Sequence, residues 1–362
     1  MSGVSAGLLC PFDLTVERIA RFLNAELTDH AVYDGIELQW FDDEVHGTGM
    51  LAFLSRRDDR RVDYYVDPGL VLDRSSYHLG SGTGSWVATQ FETSRLEVTA
   101  DGVVAEVCFA DVDGRRVEVS VDDRGSGRRN TSQLLAPVGS GIDEPGSLLL
   151  VYLHGFDLLR RSGHAPSIRI DGRQASTGAL PGAMLHRRHL IKAAAPLTVA
   201  SLCRTRTGTL DPVDADDPGV VVVDDTATAI AGLVARHGEA TAELRLDPPL
   251  PALGVLADGR RESGGWQVVI DGAPVTGGRW RAVRQGRAIS LDLEVTRRWN
   301  PPPGQPALMW LVTRLVPTCR RWPTTYRWAA ELTVDGGSAS ISAGWRRTTA
   351  DRGRAYRRAT GS

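Results

Sequence analysis

Lysine is almost missing from this sequence. Lys192 is the single lysine of a 362-residue chain whose Lys and Arg together number 42, so amine chemistry is confined to one position. Cysteine is scarce too: the four residues Cys10, Cys108, Cys203 and Cys319 lie far apart with no C-x-x-C pair, which excludes a disulfide framework or a zinc ribbon. No stretch approaches the ~20 consecutive apolar residues that a membrane helix needs, and no membrane span is expected. The opening MSGVSAGLLC has neither the basic region nor the long apolar core of a secretion signal; the expected location is cytoplasmic. A formal net charge of −2 supplies no field that would gather nucleic acid or an anionic surface, and no nucleic-acid partner is expected. Basic character is local: Arg346, Arg347, Arg352, Arg354, Arg357 and Arg358 crowd the end of the chain. With Gly, Thr and Ser around them, residues 349–362 read as a flexible basic tail.

What is present is alternation. In RLEVTADGVVAEVCFADVDGRRVEVSVDD the apolar positions recur every second residue, with Asp101-Gly102 and Asp113-Gly114 between the runs as candidate type I′ hairpin turns. GIELQWFD, GTGMLAFLSRR, RRVDYYVD and SLLLVYLHGF read as further strands, and VVVVDD as a short one. GGWQVVIDGAPV, GRWRAVRQGRAISLDLEVTRRW and RWAAELTVDGGSASISAGWRR form a second meander. IRIDGRQASTG and VVIDGAPVTGG, one in each half, echo each other and leave open a duplication. Two segments read instead as helices. Val16, Ile19, Ala20, Leu23 and Leu27 fall at helical spacing, and TATAIAGLVARHG closes on Gly238. The acidic, Pro- and Gly-bearing TLDPVDADDPG at 209–219 is the best linker.

The expected fold is mainly antiparallel β with a few short helices, in two barrel- or sandwich-like modules. Residues 1–212 hold an N-terminal helix and the first module, 213–348 the second module with one helix, and 349–362 the tail. In length and layout this resembles the tandem lipocalin-like proteins, which include cofactor-independent isomerases, cyclases and hydratases. Two β modules of this size commonly enclose a ligand cavity.

Several site motifs do not hold up. VYLHGFD suggests the oxyanion entry of an α/β-hydrolase, but LGSGTGSW, DRGSGRR and VGSGID lack the nucleophile-elbow pattern and the strands do not alternate with helices. GSGTGS has no lysine after it to make a phosphate loop. His186 and His189 alone are too few to hold a metal, so neither metal nor cofactor is expected.

Two candidate sites remain. In MLHRRHLIKAAAP, read as a basic helix, Lys192 with His189 could serve a Schiff-base lyase or decarboxylase if both faced an enclosed cavity. Trp299, Trp310, Trp322, Tyr326 and Trp328, interleaved with arginines such as Arg320, could line a pocket for an apolar or aromatic small molecule, or pack as core. Asp42, Asp43 and Glu44 lead into His46, and Asp63 precedes Tyr64-Tyr65, without showing which carboxylates converge. The leading expectation is a small-molecule-binding β protein, with cofactor-independent catalysis possible in such a pocket. The others are the Schiff-base enzyme and a non-catalytic interaction or scaffold protein.

Overall fold

Alternation of the kind just described builds strands whose two faces differ, and in the computed structural model it gives a mainly β protein with two curled, half-barrel sheets. The structure describes residues 8–74, 77, 82–125, 127–161, 164–179, 186–213, 219–223, 228–335 and 337–348. The basic tail and part of the acidic linker lie outside them.

The first large sheet runs in the order Leu14–Ile19, Leu197–Leu202, Leu148–Arg160, Arg188–Ala194, Arg21–Glu26, Tyr33–Asp43, Gly47–Arg56, Val62–Val66 and Thr83–Ala88, with Ser132–Ala136 added beside Leu148–Arg160. All of these pairs are antiparallel except the last on the main path, Val62–Val66 with Thr83–Ala88. It curls where the long strand Leu148–Arg160 changes partner. Leu148 to Leu153 pair with Leu197–Leu202, and Asp157 to Arg160 pair with Arg188–Ala194. Gly155 sits at this corner with φ +55°, and a Cβ there would lie 2.8 Å from the Ala195 carbonyl oxygen; only glycine lets the strands approach so closely.

A five-stranded sheet, built from Thr93–Val98, Val103–Ala110, Arg116–Asp122, Ser167–Ile170 and Arg173–Gln174, packs on the outer face of the first. Leu23, Ala25, Ile36, Leu38, Met50, Ala52 and Tyr65 from one sheet meet Leu96, Ala105, Phe109, Val119 and Ile168 from the other in one buried cluster. Tyr33 bonds to Asp111 across these layers at 2.9 Å, and Arg115 grips the same carboxylate at 2.7 Å.

The second large sheet holds Arg206–Leu210, Ser338–Arg347, Tyr326–Asp335, Ala288–Arg297, Ala273–Gln285, Arg261–Ile270, Ala240–Pro251, Ala229–His237 and Val220–Val222, in that order and all antiparallel. Register aligns Trp280, Leu293, Trp328 and Trp345 in one row across four strands, all buried. Gly264 pairs with Trp280 and leaves it room: a Cβ would stand 2.6 Å from the indole nitrogen. Two short helices, α1 (Ala307–Leu315) and α2 (Pro317–Arg321), interrupt this sheet's connection. Sheet membership passes from the first large sheet to the second between Leu202 and Arg206. A single apolar core nevertheless runs through both. The Trp345 indole N–H, which lies 3.0 Å from the Leu202 carbonyl and 2.8 Å from that of Cys203, ties them at the seam.

Four expectations are corrected. The segment expected as an N-terminal helix forms the strands Leu14–Ile19 and Arg21–Glu26. Glu17 and Ile19 face the cavity side, then Phe22, Asn24 and Glu26, so the break at Ala20 inserts one residue and turns a period of two into an apparent helical step. The helix expected over 226–238 is the strand Ala229–His237, where a bulge between Ile230 and Gly232, one residue gained against Val220–Val222, does the same. Residues 188–194 of the lysine segment are also strand. Of the turns, the conformation with both central residues at positive φ belongs to Asp171-Gly172 and Asp271-Gly272, the two echoing IDG sites; at 113–114 only the glycine adopts it, and at 101–102 neither residue does.

The packing of the outer layer carries a prediction. Phe109→Ala, which empties a buried site against Tyr65 and Phe91, is expected to lower stability by about 3–5 kcal/mol in urea unfolding. Val112→Ala, at an exposed position, is expected to change it by less than about 0.5 kcal/mol. Equal effects would contradict the layer assignment.

Candidate functional site

Because side chains on one face of a sheet line up across strands, register alone sets what the first sheet presents to its interior. One row reads Leu158, Lys192, Asn24, Glu37, Phe53, Tyr64 and Trp86. The neighbouring rows add Glu26, Gly35 and Ser55 on one side and Phe22, Gln39 and Leu51 on the other. This face borders a cavity of about 770 Å³, within the usual size of small-molecule sites. Ile19, Phe22, Phe53, Leu134, Val151, Leu153 and Phe156 make its wall apolar, and Met309, Val312, Val316 and Cys319 from α1 and α2 cover it. The cover therefore comes from the second half of the chain. It is anchored where the Gln133 backbone N–H donates to Gln305 Oε1 at 3.1 Å. Exposed Arg60 and Glu26 mark where the cavity meets solvent.

Within this apolar wall sits a short polar chain. Gln39 Nε2 donates to Glu37 Oε1 at 2.7 Å and Asn24 Nδ2 to Glu37 Oε2 at 3.2 Å. Lys192 Nζ donates to Asn24 Oδ1 at 3.2 Å and to Glu26 Oε1 at 2.8 Å. Burial pushes the Glu37 carboxyl up to about 7, against the opposing pull of the Gln39 hydrogen bond, the Lys192 charge and the Asn24 hydrogen bond. A carboxylic acid is thus held partly protonated near neutrality inside an apolar chamber. Two further groups lack partners among the described residues: Gln39 Oε1 and the Tyr77 hydroxyl are buried without a hydrogen bond, and both residues line the cavity. Burial also holds the Tyr77 phenol well above its usual range, and the Glu37 charge contributes in the same direction.

The expected site residues divide among several places. Lys192 lines this cavity, but strand alternation turns His189 to the opposite face beside Ile191 and Ala193. Arg188 is occupied by Asp157 at 3.5 Å. Lys192 is ion-paired with Glu26 at 2.8 Å, so its amine is engaged at the wall of the cavity. Trp328 is buried in the second core against Phe12. Trp322 and Tyr326 border a separate recess of about 330 Å³ with Thr15, Glu17 and Val138. Trp299, Trp310 and Arg320 border a third, of about 300 Å³, whose apolar surface is small. Trp310 itself is 51% exposed, with Arg314 over its ring at 4.3 Å. The aromatic group therefore does not converge on one pocket. His154, of the VYLHGFD run, sits within the strand Leu148–Arg160 and bonds across the seam to Asp271 at 2.8 Å. Sequence reasoning passed over Glu37, Gln39, Asn24 and Tyr77. The available signal was polar residues on the cavity-facing phase of otherwise apolar strands.

No protein-family model, curated protein or solved structure matches the chain.

The raised pKa of Glu37 has a signed consequence for stability. Between the unfolded value, near 4.5, and about 7 the native state binds the proton more tightly than the unfolded chain. The contribution to stability is complete at low pH and is lost as pH rises through 7. Unfolding free energies measured from pH 5 to 8 should fall by roughly 2 kcal/mol more for the wild type than for Glu37→Gln; parallel profiles would contradict the assignment.

Proposed function

We propose that the first half of the chain binds an apolar small molecule carrying one polar group, and that Glu37 acts on it as a general acid or base without a cofactor. The observation that carries this reading is the carboxyl of Glu37, tuned to about 7 in the wall of a 770 Å³ apolar cavity. A catalytic acid works best with its pKa near the working pH, and burial is the established means of bringing a glutamate there. The fitting reactions are those balanced by protons and water alone: isomerisation, cyclisation or hydration. Gln39 Oε1 would accept a hydrogen bond from a substrate hydroxyl, and the Tyr77 hydroxyl would donate one to a substrate oxygen. Lys192, Asn24 and Gln39 would position Glu37 and limit how far its pKa rises.

A Schiff-base role for Lys192 is the lesser reading. It is supported by the lysine's place in the cavity and opposed by its pairing with Glu26.

The test begins with what the purified protein carries. Native mass spectrometry and solvent extraction should recover an apolar ligand, or the protein should bind an apolar fluorophore such as an anilinonaphthalene. Ser55→Trp, which fills the cavity beside Glu26, should weaken that binding at least tenfold, while Trp310→Ala should leave it unchanged. With a turned-over ligand in hand, Glu37→Gln should retain binding within a few fold and lose turnover at least a hundredfold. Binding that is lost in Trp310→Ala but kept in Ser55→Trp would overturn the location, and full turnover by Glu37→Gln would overturn the mechanism.

A further inference from the structure

A second cluster of titratable groups lies away from the cavity, where the two large sheets meet. Asp43 ends the strand Tyr33–Asp43, and the chain turns through Val45 and His46 into Gly47–Arg56. Asp43 Oδ1 caps that turn, accepting backbone N–H bonds from Val45 at 2.9 Å and His46 at 2.8 Å. Its other oxygen lies 2.9 Å from His46 Nδ1. From the second sheet comes His237, the last residue of Ala229–His237 before the hairpin turn at Gly238. Its ring stacks on that of His46 with centroids 4.8 Å apart and 25° between planes, and Phe41 closes the other side of His46 with its edge at 5.0 Å.

Turn capping accounts for Asp43 and His46. It does not account for His237. The Nε2 atom of that ring is buried and has no hydrogen-bond partner among the described residues, although it stands 3.5 Å from Asp43 Oδ1, outside hydrogen-bonding geometry. An imidazole nitrogen shut from water and left unpaired is costly, and it is aimed at a carboxylate and a second imidazole. One ligand atom from each of Asp43, His46 and His237 lies within 4.8 Å of the other two. Arg18 pairs with Glu239 and Arg21 lies 3.9 Å from Asp42, so neither is paired with Asp43.

We infer that Asp43, His46 and His237 form a binding site for a divalent transition metal ion, zinc by preference, that fastens the two sheets together. Two imidazoles and one carboxylate are the donor set of zinc and its neighbours and a poor one for magnesium or calcium. Three protein ligands leave a fourth position for water. Because two ligands come from a hairpin of the first sheet and one from a hairpin of the second, the ion would act as a cross-link and raise stability by mass action.

The test uses the full chain, stripped with a chelator and titrated with zinc by calorimetry and with cobalt(II) by visible absorption. One ion per chain should bind, with a cobalt spectrum showing nitrogen and oxygen ligands in a low-coordinate site. At zinc a hundredfold above its Kd the unfolding midpoint should rise by about 5 °C. His237→Ala and His46→Ala should each weaken zinc at least a hundredfold, with His237→Gln as a variant that keeps volume and polarity should alanine disturb folding. His189→Ala should leave the affinity unchanged. Absence of a one-to-one site in the wild type would overturn the inference without reference to any variant, and so would zinc affinity that persists in both His237 variants.

Discussion

The first sheet is covered on both faces, and this constraint shapes the rest of the molecule. Its outer face is sealed by the five-stranded layer through Leu23, Ile36, Leu38, Met50 and Phe109. Its inner face curls around a cavity. A strand confined in this way offers its polar residues little water away from the cavity mouth, so those it carries turn to one another. Asn24, Glu37, Gln39 and Lys192 do so in a hydrogen-bonded chain on four residues of three adjacent strands. The same confinement that makes the chain necessary raises the pKa of its central carboxyl. Structure and proposed chemistry therefore share one cause.

The two halves divide the labour of that arrangement. In the second sheet, Trp280, Trp328 and Trp345 occupy the interior, while the first sheet borders open volume. The connection that carries α1 and α2 places Met309, Val312 and Cys319 over that volume. The seam between the sheets is held by contacts that are individually small: Trp345 to Leu202 and Cys203, His154 and Thr198 to Asp271, and the Asp43, His46 and His237 group. A cover borne by one half over a chamber in the other makes the geometry of that seam matter for access to the cavity.

Much of the fold could be read from the residues, because period-two alternation and hairpin turns are local signals. The meanders at 93–122 and 261–347 fell out of that pattern directly. The two false helices share one physical origin. At Ala20 and between Ile230 and Gly232 the strands gain a residue, which shifts the buried phase and imitates a step of three. Strand pairing with Leu197–Leu202 and Tyr33–Asp43 in one case, and with Ala240–Pro251 in the other, overrode the spacing. The site was less legible for a different reason. Glu37 meets Asn24 across 13 residues, and Asn24 meets Lys192 across 168, so the cluster exists only through sheet order. Lys192, noticed for its rarity, does border the cavity, but as the charged end of that chain. The tryptophans near the C-terminus were conspicuous because they are large, and several of them serve the second core and its surface.

The account rests most directly on the protonation state of Glu37. Carbon-13 NMR of the glutamate carboxyls, with the Glu37 signal identified by its loss in Glu37→Gln, would follow that group through a pH titration. The account predicts one glutamate titrating near 7, well separated from the rest. A Glu37 signal that titrates with the ordinary glutamates, near 4.3, would contradict it.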